Sequence, residues 1–131
     1  MSTGSQSTPR SPENVVVLGA STNEERYANK AMKMLLEYGH KPIPVNPAFE
    51  EVLGQKCYKS ISDVPGPIDT VTLYLGAARS EPLIAEILKA KPKRIIFNPG
   101  AENEHLAEAA KAEGIEPLEA CTLVLLRTGQ Y

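Results

Sequence analysis

Val15-Val16-Val17-Leu18-Gly19-Ala20-Ser21 decides how the rest of the chain is read. Four β-forming residues run without interruption into a glycine and two small residues. Such a run, with no alternation, is the pattern of a strand buried on both faces of a parallel sheet. The glycine permits a tight turn, and the small residues after it let a second molecule approach the main chain. If a helix comes next, its free N–H groups face whatever lies over the turn, which favours an anion such as a phosphate. A lone Gly-Ala-Ser also serves as the turn of an ordinary α/β core, so the stretch takes its meaning from the residues beyond Ser21.

Thr22-Asn23-Glu24-Glu25-Arg26-Tyr27 is polar and long for a simple turn, and it reads as a loop over the site. Ala28, Ala31, Met32, Leu35 and Leu36 then recur at helical spacing, and Gly39 closes that helix. Lys41-Pro42-Ile43-Pro44-Val45 is a short second strand. Asn46-Pro47 is a turn, because a residue before proline avoids the helical region. Phe49 to Tyr58 lacks a clean period and reads as a surface excursion, with Ile61 to Pro67 a turn-rich connector. Thr70 to Leu75 is a third strand, ending at Gly76-Ala77-Ala78. Ser80 suits a helix N-cap, with Glu81 and Pro82 in the first turn and Leu83, Ile84, Ile87 and Leu88 as the apolar stripe. Arg94 to Phe97 is a fourth strand, ending in Asn98-Pro99-Gly100. Leu106, Ala109 and Ala110 mark a further helix stopped by Gly114. Ile115 to Ala120 is a weaker strand, set at an edge by Pro117, and Thr122 to Leu126 a short final helix.

Strands that alternate with helices through short joints define an α/β fold. The expectation is a Rossmann-like, doubly wound, mostly parallel sheet of five strands with helices on both faces. The length of 131 residues suits one domain, expected over 14–131. Met1 to Pro12 is rich in Ser, Thr, Pro and Gly and has no apolar signal core, so residues 1–13 are expected to be a disordered tail. A formal net charge of −2, no tryptophan, and no basic stripe with interleaved aromatics argue against a nucleic-acid partner. No apolar run approaches the roughly 20 residues a membrane span requires. Cys57 and Cys121 lie far apart with no C-x-x-C spacing, which fits free thiols in a reducing cytoplasm and no structural zinc.

In a sheet of this kind ligands sit outside the carboxyl ends of the strands, near the switch in strand order. Four strand ends are rich in Gly, Ala, Asn or Pro: Gly19-Ala20-Ser21, Asn46-Pro47, Gly76-Ala77-Ala78 and Asn98-Pro99-Gly100. Their convergence on one crevice is the main reason to expect a binding site. An NAD site would carry G-x-G-x-x-G and an acid at the end of the second strand. This chain has one glycine in the first turn and Val45-Asn46-Pro47 where the acid belongs, and it lacks a Walker A lysine motif. The ligand is still expected to be anionic, with Arg26, Lys30 and Lys56 on flanking segments as candidate counter-charges. Each of the three is also an ordinary solvated cation.

Val17-Leu18-Gly19-Ala20-Ser21, Arg26-Tyr27-Ala28-Asn29-Lys30 and Pro44-Val45-Asn46-Pro47 together resemble the small stand-alone CoA-binding proteins. Those proteins are related to the CoA-binding domain of the succinyl-CoA synthetase α subunit. Leu53 to Tyr58, Asn98 to Glu102 and Glu119-Ala120-Cys121-Thr122 add to the resemblance, which covers Asn14 to Tyr131. It implies a domain that holds coenzyme A, with Gly19, Ala20 and Ser21 against the pyrophosphate. Val45, Asn46 and Pro47 would then border the adenosine, with Tyr74, Leu75 and Gly76 as the floor and Asn98, Pro99 and Gly100 toward the pantetheine arm. Two departures stand out. Ala48 and Phe49 come after the second-strand proline where the synthetase domain has a lysine, and Gly76-Ala77-Ala78 stands where many relatives carry prolines.

The synthetase's phosphorylated histidine belongs to a second domain with no counterpart here. His40 and His105 have no triad partner by sequence, and Glu102 and Glu104 read as first-turn carboxylates of a helix. Cys121 comes after the last strand, where a thiol facing CoA would invite a mixed disulfide, although a small buried residue is the simpler account. The expected function is binding of CoA or an acyl-CoA without catalysis by this chain. A nucleotide-dependent enzyme, either an NAD(P)-type oxidoreductase or an acyl-CoA ligase component needing a second subunit, remains an alternative. So does a CoA-sensing interaction protein. A protein partner or homo-oligomer is left open.

Overall fold

The structure, a computed structural model, describes residues 12–131. The expected tail lies outside the described residues up to position 11. Glu13 is tied into the fold: its N–H donates to His40 Nδ1 at 3.0 Å and its carboxylate accepts from the Thr70 hydroxyl at 2.8 Å.

The elements in chain order are β1 (Asn14–Leu18), α1 (Tyr27–Glu37), β2 (Lys41–Val45), β3 (Glu51–Val52), β4 (Gln55–Lys56), β5 (Thr70–Leu73), α2 (Ala77–Ser80), α3 (Ile84–Lys89), β6 (Arg94–Phe97), α4 (Glu104–Ala112), β7 (Glu116–Glu119) and α5 (Thr122–Arg127). Five strands form one parallel sheet in the order β2-β1-β5-β6-β7. This is the expected α/β, Rossmann-like architecture. The order reverses between β1 and β5, which is the switch point where such sheets hold ligands.

β1 is an interior strand, and its Val15–Leu18 run is apolar because both its faces are covered. Val16 and Leu18 pack into the cluster beneath α3 and α4, with Ile87, Leu106 and Ala110. Val15 and Val17 pack into the cluster beneath α1 and α5, with Met32, Leu35 and Leu126. Each such side chain removed from water contributes about 1.5–3 kcal/mol. β2 tolerates two prolines because it is an edge strand. The Val45 carbonyl accepts from Gly19 N–H on the β1 side, so Pro44 turns its N and carbonyl outward, where no sheet neighbour needs the missing donor.

Four expectations change. The stretch 49–58 is not a surface excursion. It holds the β3–β4 hairpin, turning through Leu53 and Gly54 at φ of +51° and +77°. It also buries Val52 and Cys57 at 1% and 5% exposure. Tyr58 bridges to Val45 and so covers the open edge of β2. The third strand ends at Leu73, although Tyr74 N–H still reaches the Leu18 carbonyl at 2.9 Å. The helix after it begins at Ala77 with Gly76 as N-cap, and Ser80 lies buried within it rather than capping it. Pro82 tightens the continuation into a 3-10 turn over Glu81–Leu83 before α3 resumes the helix. Glu102 lies ahead of α4 and accepts from Gly100 N–H at 3.0 Å, while Asn103 caps the helix by accepting from Leu106 N–H at 3.1 Å.

Candidate functional site

A cleft of about 330 Å³ opens at the carboxyl ends of β1, β2 and β5. Leu18, Gly19, Val45, Asn46, Pro47 and Leu75 line it from the strand ends, with Lys59, Ser60 and Ile61 on a second side and Arg79, Leu83 and Glu86 on a third. Its volume lies within the range of small-molecule sites, and its position is the one the strand order marks for a ligand.

Gly19 fixes the floor. Its φ of +95° is a left-handed conformation, and a Cβ there would come within 3.0 Å of Leu75 Cδ2 and 3.1 Å of the Tyr74 carbonyl. The ends of β1 and β5 therefore approach as closely as they do only because this residue has no side chain. Asn46 holds the turn from the β2 side. Its Nδ2 donates to the Ala20 carbonyl at 2.8 Å and its Oδ1 accepts from Ala48 N–H at 2.8 Å. Asn29 of α1 does the same for the Ser21 carbonyl, donating from Nδ2 at 3.0 Å.

The walls carry charge of both signs. Lys59 donates to the Pro47 carbonyl at 3.5 Å, so a cation reaches the cleft mouth from the segment after the hairpin. Among the described residues neither Lys59 nor Arg79 is paired with a carboxylate. Glu86 instead accepts from the Ser60 hydroxyl at 2.7 Å.

Of the residues singled out in the sequence, Gly19, Val45, Asn46, Pro47 and Leu75 meet on this cleft. Ala20 is fully buried beneath it, and Ser21 spends its hydroxyl on Asn23 N–H at 3.0 Å. Arg26 stands at the N-cap position of α1, exposed, and Lys30 lies 5.5 Å above the Tyr27 ring. Lys56 lies 5.2 Å above the Tyr58 ring. None of these three lines the cleft.

Tyr74 points to the opposite face of the sheet, where burial pushes its hydroxyl up to about 12. Gly76, Pro99 and Gly100 do not line the cleft. Asn98 is engaged entirely with the fold: Nδ2 donates to Thr72 Oγ1 at 2.7 Å and to the Leu73 carbonyl at 2.9 Å, and Oδ1 accepts from Thr122 N–H at 2.9 Å.

The other candidates lie apart. His40 Nδ1 accepts from Glu13 N–H at the amino end of the sheet. His105 meets Glu81 at 3.0 Å on the exposed surface, and that hydrogen bond raises its pKa. The Cys57 thiol is pushed up by burial and donates to the Asn46 carbonyl at 3.5 Å, which leaves little thiolate. Cys121 stands half-buried at the start of α5, outside the cleft. Among the described residues no group of three His, Cys, Asp or Glu side chains is placed to hold a metal ion.

Sequence reading missed Lys59, Ser60, Ile61, Arg79, Leu83 and Glu86. Only Arg79 carried a signal, as a cation one residue past the small run Gly76-Ala77-Ala78.

The fold and cleft define a ligand-binding α/β domain with its site at the switch between β1 and β5. The family model described as CoA binding domain matches residues 13–127, and the chain belongs to that family. The acetate–CoA ligase (ADP-forming) of Methanocaldococcus jannaschii is 39% identical over 64 residues, 49% of this chain and 9% of that protein. The chain thus spans under a tenth of that ligase. The uncharacterized protein YneT of Bacillus subtilis is 28% identical over 100 residues, 76% of this chain and 74% of its own length. A crystal structure of an uncharacterized protein superposes with a TM-score of 0.87 at 41% identity, covering 93% of this chain and 100% of that one. The domain therefore occurs both as a small separate protein and as part of ADP-forming ligases. No helix among the described residues is long and apolar enough to cross a membrane.

Proposed function

We propose that this chain binds coenzyme A, free or acylated, in the cleft between the ends of β1, β2 and β5. The observation that carries the reading is the cleft itself. It sits at the switch point of a chain belonging to the CoA-binding domain family and has on its walls two cations, Lys59 and Arg79, that pair with no carboxylate among the described residues. CoA presents a diphosphate and a 3′-phosphate, and these two cations offer charge-assisted contacts to phosphate oxygens. Arg79 offers a planar fork for two oxygens, and Lys59 a compact charge on a flexible stem. Gly19 leaves the main chain open to close approach, and Asn46 and Asn29 hold the carbonyls of Ala20 and Ser21 turned into the protein. Ala48 and Phe49 supply no cation after Pro47, and Lys59 reaches that carbonyl from the next segment instead.

The chain does no chemistry of its own in this reading. Among the described residues no histidine, cysteine or tyrosine lines the cleft, and its one hydroxyl, that of Ser60, is committed to Glu86. A second reading comes from the ligase comparison. The matched ligase carries this similarity over 9% of its length, so a partner protein acting on the bound thioester would supply the rest of a reaction.

A thermal-unfolding series with CoA, acetyl-CoA, NAD, NADP and ATP tests the proposal. CoA at 100 times its Kd adds about 2.7 kcal/mol and raises Tm accordingly. Stabilisation by NAD but not by CoA would overturn it. Turnover of an acyl-CoA by the isolated chain would contradict the absence of catalysis.

A further inference from the structure

Glu86 is a carboxylate in a cleft that otherwise presents cations. It faces the same space as Lys59 and Arg79, yet it pairs with neither and takes the neutral hydroxyl of Ser60 at 2.7 Å. Ser60 is itself fixed, because its Oγ accepts from Ser62 N–H at 3.1 Å as the N-cap of a 3-10 turn. That turn begins with Ile61, which is 2% exposed and lines the cleft. Leu83, one helical turn before Glu86, lines it too. The carboxylate is therefore held beside an apolar wall, with its second oxygen free of any donor among the described residues. Ionised, it is an acceptor only, so any group it takes is a donor, and the donors a nucleoside offers are neutral N–H and O–H groups.

We infer that Glu86, positioned by Ser60, is a specificity residue that accepts a hydrogen bond from a neutral N–H or O–H of the ligand's nucleoside. The cleft then has two poles, Lys59 and Arg79 for phosphate oxygens and Glu86 for the nucleoside's donor edge. On the nucleoside the donor is either the exocyclic amine of adenine or the ribose 2′-hydroxyl. A purely anionic ligand would be repelled by Glu86, and a ligand without phosphate would leave the cations unused. This inference rests on the CoA reading for the identity of the ligand, but the two fail separately.

The test is isothermal titration of the wild-type protein, Glu86→Ala and Glu86→Gln with CoA, ADP, inosine diphosphate and 2′-deoxy-ADP. Urea unfolding of each variant checks that the fold is kept. A hydrogen bond to an ionised group corresponds to roughly ten-fold or more in affinity. ADP should therefore bind the wild type about ten-fold more tightly than one of its two analogues. Inosine diphosphate lacks the amine and 2′-deoxy-ADP the hydroxyl, so the analogue that loses affinity identifies the donor. In Glu86→Ala that preference should vanish, with the weaker analogue held as well as by the wild type. Glu86→Gln keeps an acceptor oxygen and should restore part of the preference. Unchanged ratios in Glu86→Ala would overturn the inference and leave CoA binding standing. Tighter binding of every phosphorylated ligand by Glu86→Ala would also overturn it, because the carboxylate would then act only by repulsion. If CoA left the wild type untouched while the ADP series ranked as described, the CoA reading would fall and the donor site would stand. If no nucleotide bound, both would fall.

Discussion

Gly19 and Asn98 show how single residues divide the work at the strand ends. Gly19 is held at φ +95° with Leu75 and the Tyr74 carbonyl 3.0–3.1 Å from where a Cβ would stand. Gly19→Val should lose about 2–4 kcal/mol in urea unfolding, from both the backbone conformation and the clash. In the same variant the CoA-dependent rise in Tm should disappear. Retention of that rise with the stability loss intact would mean the ligand lies elsewhere. Asn98 is 2% exposed, and every polar atom of its side chain is engaged with Thr72, Leu73 or Thr122. Asn98→Ala leaves the Thr122 N–H without its acceptor and removes a donor from Thr72 Oγ1 and from the Leu73 carbonyl, which keeps only the Asn98 backbone N–H at 3.4 Å. An unpaired buried group costs about 1–3 kcal/mol and each lost hydrogen bond about 1 kcal/mol more. Its stability should fall by about 3 kcal/mol, while the order of ligand preference among nucleotides stays that of the wild type. A changed preference with unchanged stability would make Asn98 a contact residue instead.

Among elements, the amino ends of β1, β2, β5 and β6 meet the chain's last residues in one cluster. Arg94 donates to Thr70 Oγ1 at 2.9 Å and to the Tyr131 carbonyl at 3.0 Å, and lies 4.4 Å above the Tyr131 ring. His40 packs against the same ring, tilted by 53° at 4.9 Å between centroids, and accepts from Glu13 N–H. Burial lowers the His40 pKa below 6.5, opposed by Glu13 and helped by Arg94. The folded state thus binds a proton less readily than the unfolded chain, so this histidine's contribution to stability is present above pH 6.5 and is lost as pH falls below that value toward the folded pKa. Urea midpoints measured from pH 8 to 5 should decline below pH 6.5, and His40→Gln should flatten that decline. An equal decline in both proteins would assign it to other groups.

The same elements explain what could be read from sequence. β1, α1 with its Gly39 stop, β6 and the edge position of β7 were legible because each carries a local signal, in apolar run, helical period or proline. The β3–β4 hairpin was not, because two-residue strands are too short to alternate, and Val52 and Cys57 are buried only by the α1 face of the sheet. The start of α2 at Ala77 was hidden behind a better capping residue, Ser80, which the fold uses inside to accept from Asn103 Nδ2 at 2.8 Å.

For the whole molecule, the strand order β2-β1-β5-β6-β7 brings the ends of three strands to a single cleft and completes it with two segments distant in sequence. Gly19, Val45, Asn46, Pro47 and Leu75 were legible as cleft residues because topology alone puts strand ends on one edge. Lys59, Ser60, Arg79 and Glu86 were not, since only the path of the chain after the hairpin and the packing of α3 against the Ile61 turn bring them there. Charge is the property that Lys59, Arg79 and Glu86 add. With two cations meeting phosphates, the affinity for CoA should weaken as salt is raised from 50 to 500 mM, because a Debye length shrinks from about 14 to 4 Å over that range. A salt-independent Kd would exclude Lys59 and Arg79 as phosphate contacts.

The most direct measurement is a two-dimensional ¹H–¹⁵N NMR titration of the labelled protein with CoA, read amide by amide. Binding in the cleft predicts that the largest shifts fall on Gly19, Asn46, Ser60, Leu75 and Arg79, while the amides of α4 and of the His40–Tyr131 cluster stay in place. Shifts concentrated on α4 or on that cluster, or none at all with CoA in millimolar excess, would contradict it.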